Sequence, residues 1–238
     1  MFIGNSMTGD FTVPGEAIPL ILQSLAANTD HPVFLGREHA WNAFVIYGVG
    51  LDYHLLYDGA ARDALDPDIN PTDIWDYVVL QDYSSQWREQ PDAFFYGVSN
   101  WDARIKTWGA QRNPNVATVL WENWTWLDRP DDIANLVAAY ATMAGPPPQG
   151  VNAILVPNGQ AWSRYRFETG STSPWVDYTH PTYEGQYLAA CVFYATLFRE
   201  TPCGLSPLNL AADRARLFQN IAHRTALPST ELPPSCQP

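Results

Sequence analysis

The chain has 238 residues, with 13 basic against 25 acidic side chains and a formal charge of −12. At 46% hydrophobic and 13% aromatic it is too apolar for a disordered chain and can build a sizeable core. Its one lysine is Lys106 and it has no basic block, which excludes nucleic-acid binding by phosphate neutralisation and disfavours anionic membrane surfaces.

Short apolar runs alternate with helical patterns. Residues 1–4 read as the stump of a strand, short or trimmed, since only three residues precede Gly4. Gly15 to Asn28 carries Ile18, Ile21, Leu22 and Leu25 at helical spacing, with Pro19 tolerable only in the first turn. Phe44 to Tyr47 reads as a second strand, followed by the turn Gly48-Val49-Gly50, and Asp52 to Leu65 as a short helix. Tyr77 to Leu80 is the clearest buried strand, with a helix from about Pro91 to Ala110 after it. Val116 to Leu120 is a fourth strand. Asp131 to Met143 is a helix with Asp131 and Asp132 at its positive end. Gly145 to Gly150 breaks it, and Val151 to Val156 is a fifth strand. A long loop then leads to Thr182, the expected N-cap of a helix to about Phe198. Leu210 to Ala222 is the last helix, and the tail from about 225 to 238 reads as irregular.

Five short strands separated by helices predict an α/β fold. The sheet is expected to be parallel, with helices on both faces, in one domain over residues 1–238. In such sheets the active site lies at the carboxyl ends of the strands. No apolar run approaches the roughly 18 residues that span a bilayer, so no membrane insertion is expected. Cys191 sits in an apolar helical pattern and reads as a core thiol. Cys203 and Cys236 lie in Pro-rich loops, where a disulfide between them would pin the tail and favour export.

Three places could carry chemistry. Gly4-Asn5-Ser6-Met7-Thr8 follows the first strand, so Ser6 is exposed near backbone N–H groups, as a nucleophile requires; a capping serine would look the same. In Asp177-Tyr178-Thr179-His180 the carboxylate can reach the imidazole Nδ1–H and leave Nε2 to take a proton; an ordinary helix-entry loop is the plainer reading. Trp75 to Ser84 takes a buried strand into polar residues at the catalytic edge. The hydrolase elbow Gly-x-Ser-x-Gly is absent, because position 8 is Thr.

Together these segments resemble the SGNH (GDSL-like) hydrolase superfamily. Gly4 to Thr8 is similar to its first block, with Asn in place of the usual Asp, and Asp177 to His180 to its last block. Trp75 to Gln81, Val156 to Gly159 and His180 to Leu188 resemble an uncharacterised branch. The resemblance implies a three-layer αβα sandwich, flavodoxin-like, with a five-stranded parallel sheet. It also implies ester hydrolysis through an acyl-serine without a cofactor. Ser6 would be the nucleophile, His180 the general base and then acid, and Asp177 its orienting partner. The oxyanion hole would use the N–H of Ser6 and that of Gly48, with Gly50 as the alternative. The family's third donor, an asparagine, is missing after Leu80; Gln81 is the expected replacement, with Ser84 or Ser85 as alternatives.

Trp121, Trp124 and Trp126 follow the fourth strand, and Trp162 and Trp175 lie in the long loop. Trp121, Trp124, Trp162 and Trp175 are expected to form a substrate wall, against the alternative that they simply pack. Arg164 and Arg166 could meet a substrate carboxylate, although surface ion pairs explain them as well. Glu122 lacks a carboxylate partner for glycosidase chemistry. His31, His39 and His54 show no metal-ligand spacing and read as structural. The expected substrate is an uncharged small-molecule or carbohydrate ester, with no metal. Acyl transfer on the same site, or a non-catalytic carbohydrate-binding module on a decayed hydrolase fold, are the alternatives. Nothing in the sequence sets the oligomeric state.

Overall fold

The structure, a computed structural model, describes residues 1–8, 17–35 and 44–237. Gly15, Glu16 and His39 lie outside the described residues. In chain order the first elements are β1 (Phe2–Ile3), α1 (Ile18–Ala26), α2 (Leu51–Tyr57), α3 (Gly59–Leu65) and β2 (Tyr77–Leu80). Next come α4 (Gln86–Glu89), α5 (Pro91–Thr107), β3 (Ala117–Trp121), α6 (Ile133–Ala144) and β4 (Ile154–Val156). The last are α7 (Asn158–Thr169), α8 (Tyr183–Phe198) and α9 (Ala212–Ala226).

The chain divides into two compact units, each assembled from three stretches of sequence. One comprises Met1–Thr8, Leu35–Asn123 and Ala134–Leu155; the other comprises Gly9–Phe34, Trp124–Ile133 and Val156–Pro238.

The first unit carries the sheet, in the order β1-β2-β3-β4. β1 and β2 are parallel, with Ile3 opposite Leu80, and β2 and β3 are parallel, with Leu80 opposite Leu120. Val78, Val79, Leu80, Val119 and Leu120 are buried, as β-branched and apolar runs in a parallel sheet should be. Among the described residues four strands form rather than the five expected. The segment 44–47 shrinks to one parallel bridge between Val45 and Gly4, with Gly4 N–H donating to Phe44 O at 3.0 Å and Ile46 N–H to Gly4 O at 3.1 Å. β1 turns away at Asn5, so it offers this segment no further partner. On the other side Gly48, at φ +71°, bends the chain into a conformation that favours glycine.

The helix expected over 52–65 breaks in two at Asp58. That residue is extended, and its carboxylate Oδ1 accepts the Ala60 N–H at 3.0 Å, so it caps α3 instead of continuing α2. α5 starts on Pro91, where a missing N–H costs nothing, and buries Phe94, Val98, Trp101 and Ile105. The Trp101 indole N–H reaches Leu51 O at 3.0 Å and ties α5 to α2. After Thr107 the last turn tightens to a 3₁₀ helix over Gly109–Gln111.

In the second unit α8 is buried continuously from Gly185 to Thr196, packed by α1, α7 and α9, as expected of a helix apolar on every side. Thr182 caps it by accepting the Gly185 N–H at 3.3 Å. The stretch read as a long loop is half helix: α7 runs to Thr169 and ends on Gly170 in the left-handed conformation. Asn158, Trp162 and Tyr165 share its buried face at helical spacing, with Arg164, Arg166 and Glu168 placed around the last two. Cys203 and Cys236 are disulfide-bonded, with Cα atoms 5.2 Å apart, and Cys191 is a buried free thiol.

Candidate active site

β1 delivers Asn5 and Ser6 to the carboxyl edge of the sheet, where Gln81 and Asp82 leave β2 and Asn123 follows β3. Asn5 is buried and uses its whole amide. Its side-chain Nδ2 donates to Val49 O at 3.0 Å and Asp82 O at 3.3 Å, and its Oδ1 accepts the Met7 N–H at 3.2 Å. The two donor contacts explain asparagine here: a carboxylate would meet two carbonyl oxygens with nothing to donate. Ser6, the next residue, is half-buried. Thr8 N–H closes the turn onto Asn5 O at 2.9 Å.

Gln81 braces this turn. Its Oε1 accepts the Asn5 N–H at 2.8 Å and the Thr8 hydroxyl at 3.1 Å. Its Nε2 donates to Asp82 O and, at 3.3 Å, to Asn123 Oδ1. Both amide protons are engaged inside the protein, which corrects the expectation that they serve as the third oxyanion donor. Gly4 packs so tightly here that a Cβ would lie 2.5 Å from Thr8 Oγ1 and 2.7 Å from Gln81 Oε1. Ser84 is buried, with its carbonyl accepting the Trp87 indole N–H at 3.1 Å, and the Ser85 hydroxyl donates to Glu89 Oε2 at 3.0 Å.

The Asn5 to Val49 bond ties the Gly48–Gly50 turn to the Ser6 turn. Gly48 is exposed and needs its positive φ, whereas a Cβ on Gly50 would sit 1.9 Å from Gln86 Oε1. Beneath these turns Asp82 is fully buried, and its Oδ1 accepts the Leu51 N–H at the start of α2 at 2.8 Å. Burial pushes its carboxyl up to about 7, helped by nearby Asp52 and opposed by the amides of Leu51 and Tyr83.

The second unit holds Asp177 and His180, the expected acid and base. Asp177 Oδ2 lies 2.8 Å from His180 Nδ1, while its Oδ1 accepts the N–H groups of Thr179 at 2.7 Å and His180 at 2.8 Å. Partial burial opposes ionisation, but these amide bonds and the imidazole hold the Asp177 carboxyl down at about 2. A carboxylate on Nδ1–H leaves the lone pair on Nε2. The turn is fastened at both ends. Trp175 bridges Pro181, Val176 N–H donates to His180 O at 3.0 Å, and Leu127 N–H donates to Tyr178 O at 2.8 Å.

The tryptophan wall is corrected. Trp121, Trp124 and Trp162 are fully buried and Trp175 nearly so. Trp124 and Trp162 stack with ring centroids 3.9 Å apart, and Trp175 meets Trp162 edge-on at 4.6 Å. Trp124, Trp162 and Trp175 are core because each finds aromatic surface to cover it. Val176 and Tyr178, beside and within the Asp177–His180 turn, are exposed. Arg166 donates to Leu127 O at 2.7 Å, Glu122 is fully buried, and His31 stacks on Phe198 and meets Glu200 Oε1 at 3.0 Å. Among the described residues no cluster of three metal-ligating side chains occurs, and no helix is long and apolar enough to cross a membrane.

Sequence reasoning placed Asn5, Asp82 and Asn123 in candidate segments but gave them no part in bracing the Ser6 turn. The signal was present for the last two, since each is a polar residue two positions beyond the end of a strand.

No family model and no curated protein matches the sequence. Solved structures do match it. A proposed SGNH hydrolase from Slackia heliotrinireducens superposes with a TM-score of 0.56 at 22% identity, covering 82% of this chain and 96% of that one. A DUF4886 family protein from Bacteroides uniformis superposes with a TM-score of 0.61 at 14% identity, covering 97% of this chain and 95% of that one. At these identities the likeness is one of fold. The chain is structurally similar to the SGNH hydrolases, with a parallel sheet flanked by helices.

Proposed function

We propose that the protein is a serine esterase of the SGNH type, with Ser6 as nucleophile and His180 and Asp177 as base and orienting acid. The observation that carries this reading is the Asp177–His180 couple, in which the carboxylate accepts at Nδ1 and leaves Nε2 ready to accept a proton. The bracing of the Ser6 turn and the SGNH-like fold support it.

Ser6 Oγ attacks the ester carbonyl while its proton passes to His180 Nε2. The imidazolium, paired with Asp177, returns that proton to the leaving alkoxide, which departs as an alcohol and leaves an acyl-serine. Water then attacks, gives its proton to Nε2, and the acid is released as Ser6 recovers its own. The N–H groups of Ser6 and Gly48, or Gly50, are the proposed oxyanion donors. With Gln81 committed internally, a two-donor hole is the simplest arrangement. This chemistry needs no metal or cofactor. An uncharged carboxylic ester, from an acetylated carbohydrate or a short acyl ester, suits a protein of charge −12. The Cys203–Cys236 disulfide supports an exported protein.

The test is a fluorophosphonate probe with a short p-nitrophenyl ester assay. Labelling that vanishes in Ser6→Ala, turnover abolished in His180→Ala, and slight residual turnover in Asp177→Asn are expected. A folded wild type that takes no label would falsify the nucleophile assignment.

A further inference from the structure

His54 projects from α2 into the first unit and is fully buried. Its Nε2 lies 2.8 Å from the carbonyl oxygen of Gly4, two residues before Ser6. Its Nδ1 lies 2.8 Å from Oδ2 of Asp58. Carbonyl and carboxylate oxygens only accept, so the contacts with Gly4 O and Asp58 Oδ2 call for an N–H on each ring nitrogen, and the carboxylate fixes the ring from the side opposite Gly4. Asp58 is itself anchored, because its other oxygen accepts the Ala60 N–H at 3.0 Å.

Gly4 is the last residue before the chain turns into Asn5 and Ser6. Its N–H is held by Phe44 O at 3.0 Å, and its carbonyl accepts Ile46 N–H at 3.1 Å as well as the imidazole. The imidazole is the one side-chain donor described on that carbonyl. Hydrophobic packing alone would not call for a buried imidazole and carboxylate at this point. Burying the pair is tolerable only because each polar atom has its partner.

We propose that His54, oriented by Asp58, is a positioning residue for the nucleophile. It clamps the Gly4 carbonyl and so sets the turn that presents Ser6 Oγ. The proposal rests on the esterase reading above. It adds a second histidine–carboxylate couple, one that transfers no proton and acts on geometry alone. A misplacement of about 1 Å in a reacting group costs about 100-fold in rate, so a loosened turn should be visible in kcat.

The experiment compares His54→Phe, His54→Gln and Asp58→Asn with wild type in p-nitrophenyl ester turnover and in the rate of fluorophosphonate labelling. His54→Phe keeps an aromatic ring but has no donor, and is expected to lower kcat and labelling by about 10- to 100-fold with KM changed less than about twofold. His54→Gln can still donate to Gly4 O and should recover a large part of the loss. Asp58→Asn retains an oxygen to cap α3 and should lower kcat by about 3- to 10-fold, which keeps the idea testable if His54→Phe does not fold. Labelled wild type with His54→Phe labelled at the same rate overturns the clamp and leaves the esterase reading standing. A Gln variant no better than the Phe variant also overturns it. Unlabelled wild type overturns both.

Discussion

Trp124 donates its indole N–H to the carbonyl oxygen of Thr179 at 2.7 Å, one residue before His180. The ring that stacks on Trp162 therefore also fastens the Asp177–His180 turn, and core packing and the geometry of that couple meet in one side chain.

Trp124→Phe should preserve most of the stacking and remove only the donor. Leaving a carbonyl of this kind without its partner costs about 1–3 kcal/mol. The melting temperature should fall by roughly 2–4 °C per kcal/mol, and ester turnover by about tenfold or more. Calorimetry and steady-state kinetics check this; unchanged turnover would reduce Trp124 to a packing role.

Asn5→Asp is a near-isosteric change that reverses a donor. The carboxylate would face Val49 O and Asp82 O, both acceptors. A loss of about 2–4 kcal/mol is expected. Because the ionised form is the offending one, the deficit should be larger at pH 8 than at pH 4.5. Thermal melts at the two pH values decide it, and an equal deficit at both would count against the donor argument.

Asp82 makes stability depend on pH in the direction opposite to an ordinary carboxylate. Its folded pKa is raised from 3.8 to about 7, chiefly by burial. Between those values the folded protein keeps a proton that the unfolded chain has released. Its contribution is therefore full below about pH 3.8 and is lost as pH rises through about 7. Asp82→Asn cannot ionise, so the melting temperature of the variant should gain on wild type between pH 4 and pH 8. A constant difference across that range would remove Asp82 as the source.

The disulfide closes a loop of sequence separation 33, which restricts the unfolded chain by about 2–4 kcal/mol. Reduction, or Cys203→Ser, should lower the melting temperature by roughly 4–16 °C. Ester turnover at 25 °C should persist. Loss of turnover without loss of folding would mean that the tail does more than brace α9.

Much of this was legible from residue order. Tyr77–Leu80 is a strand with the expected bounds because it is apolar, β-branched and flanked by polar residues. Thr182 caps α8 as its hydroxyl suggested, and Cys203 pairs with Cys236. Asp177 and His180 meet because three residues is the span of one tight turn. The rest was hidden by long-range partners. The strand at 44–47 failed because β1 turns away, which its own composition does not encode. α7 escaped because Arg164, Arg166 and Glu168 dilute its buried face of Trp162 and Tyr165. Gln81 looked available because its partners, Asn5 and Asn123, are 76 and 42 residues away. The tryptophans looked like a binding wall because sequence position at a sheet edge does not reveal which rings will cover one another.

The interleaving of the two units has a consequence for how the protein is made. Ser6 leaves the ribosome before Gln81 and Asn123, which follow only after much more chain has been synthesised. The last stretch of the other unit begins at Val156. Neither unit can be completed from a contiguous piece of nascent chain without carrying part of its neighbour. The Ser6 turn must therefore wait for its braces, so a chaperone that shields this stretch of nascent chain should improve the yield of folded protein.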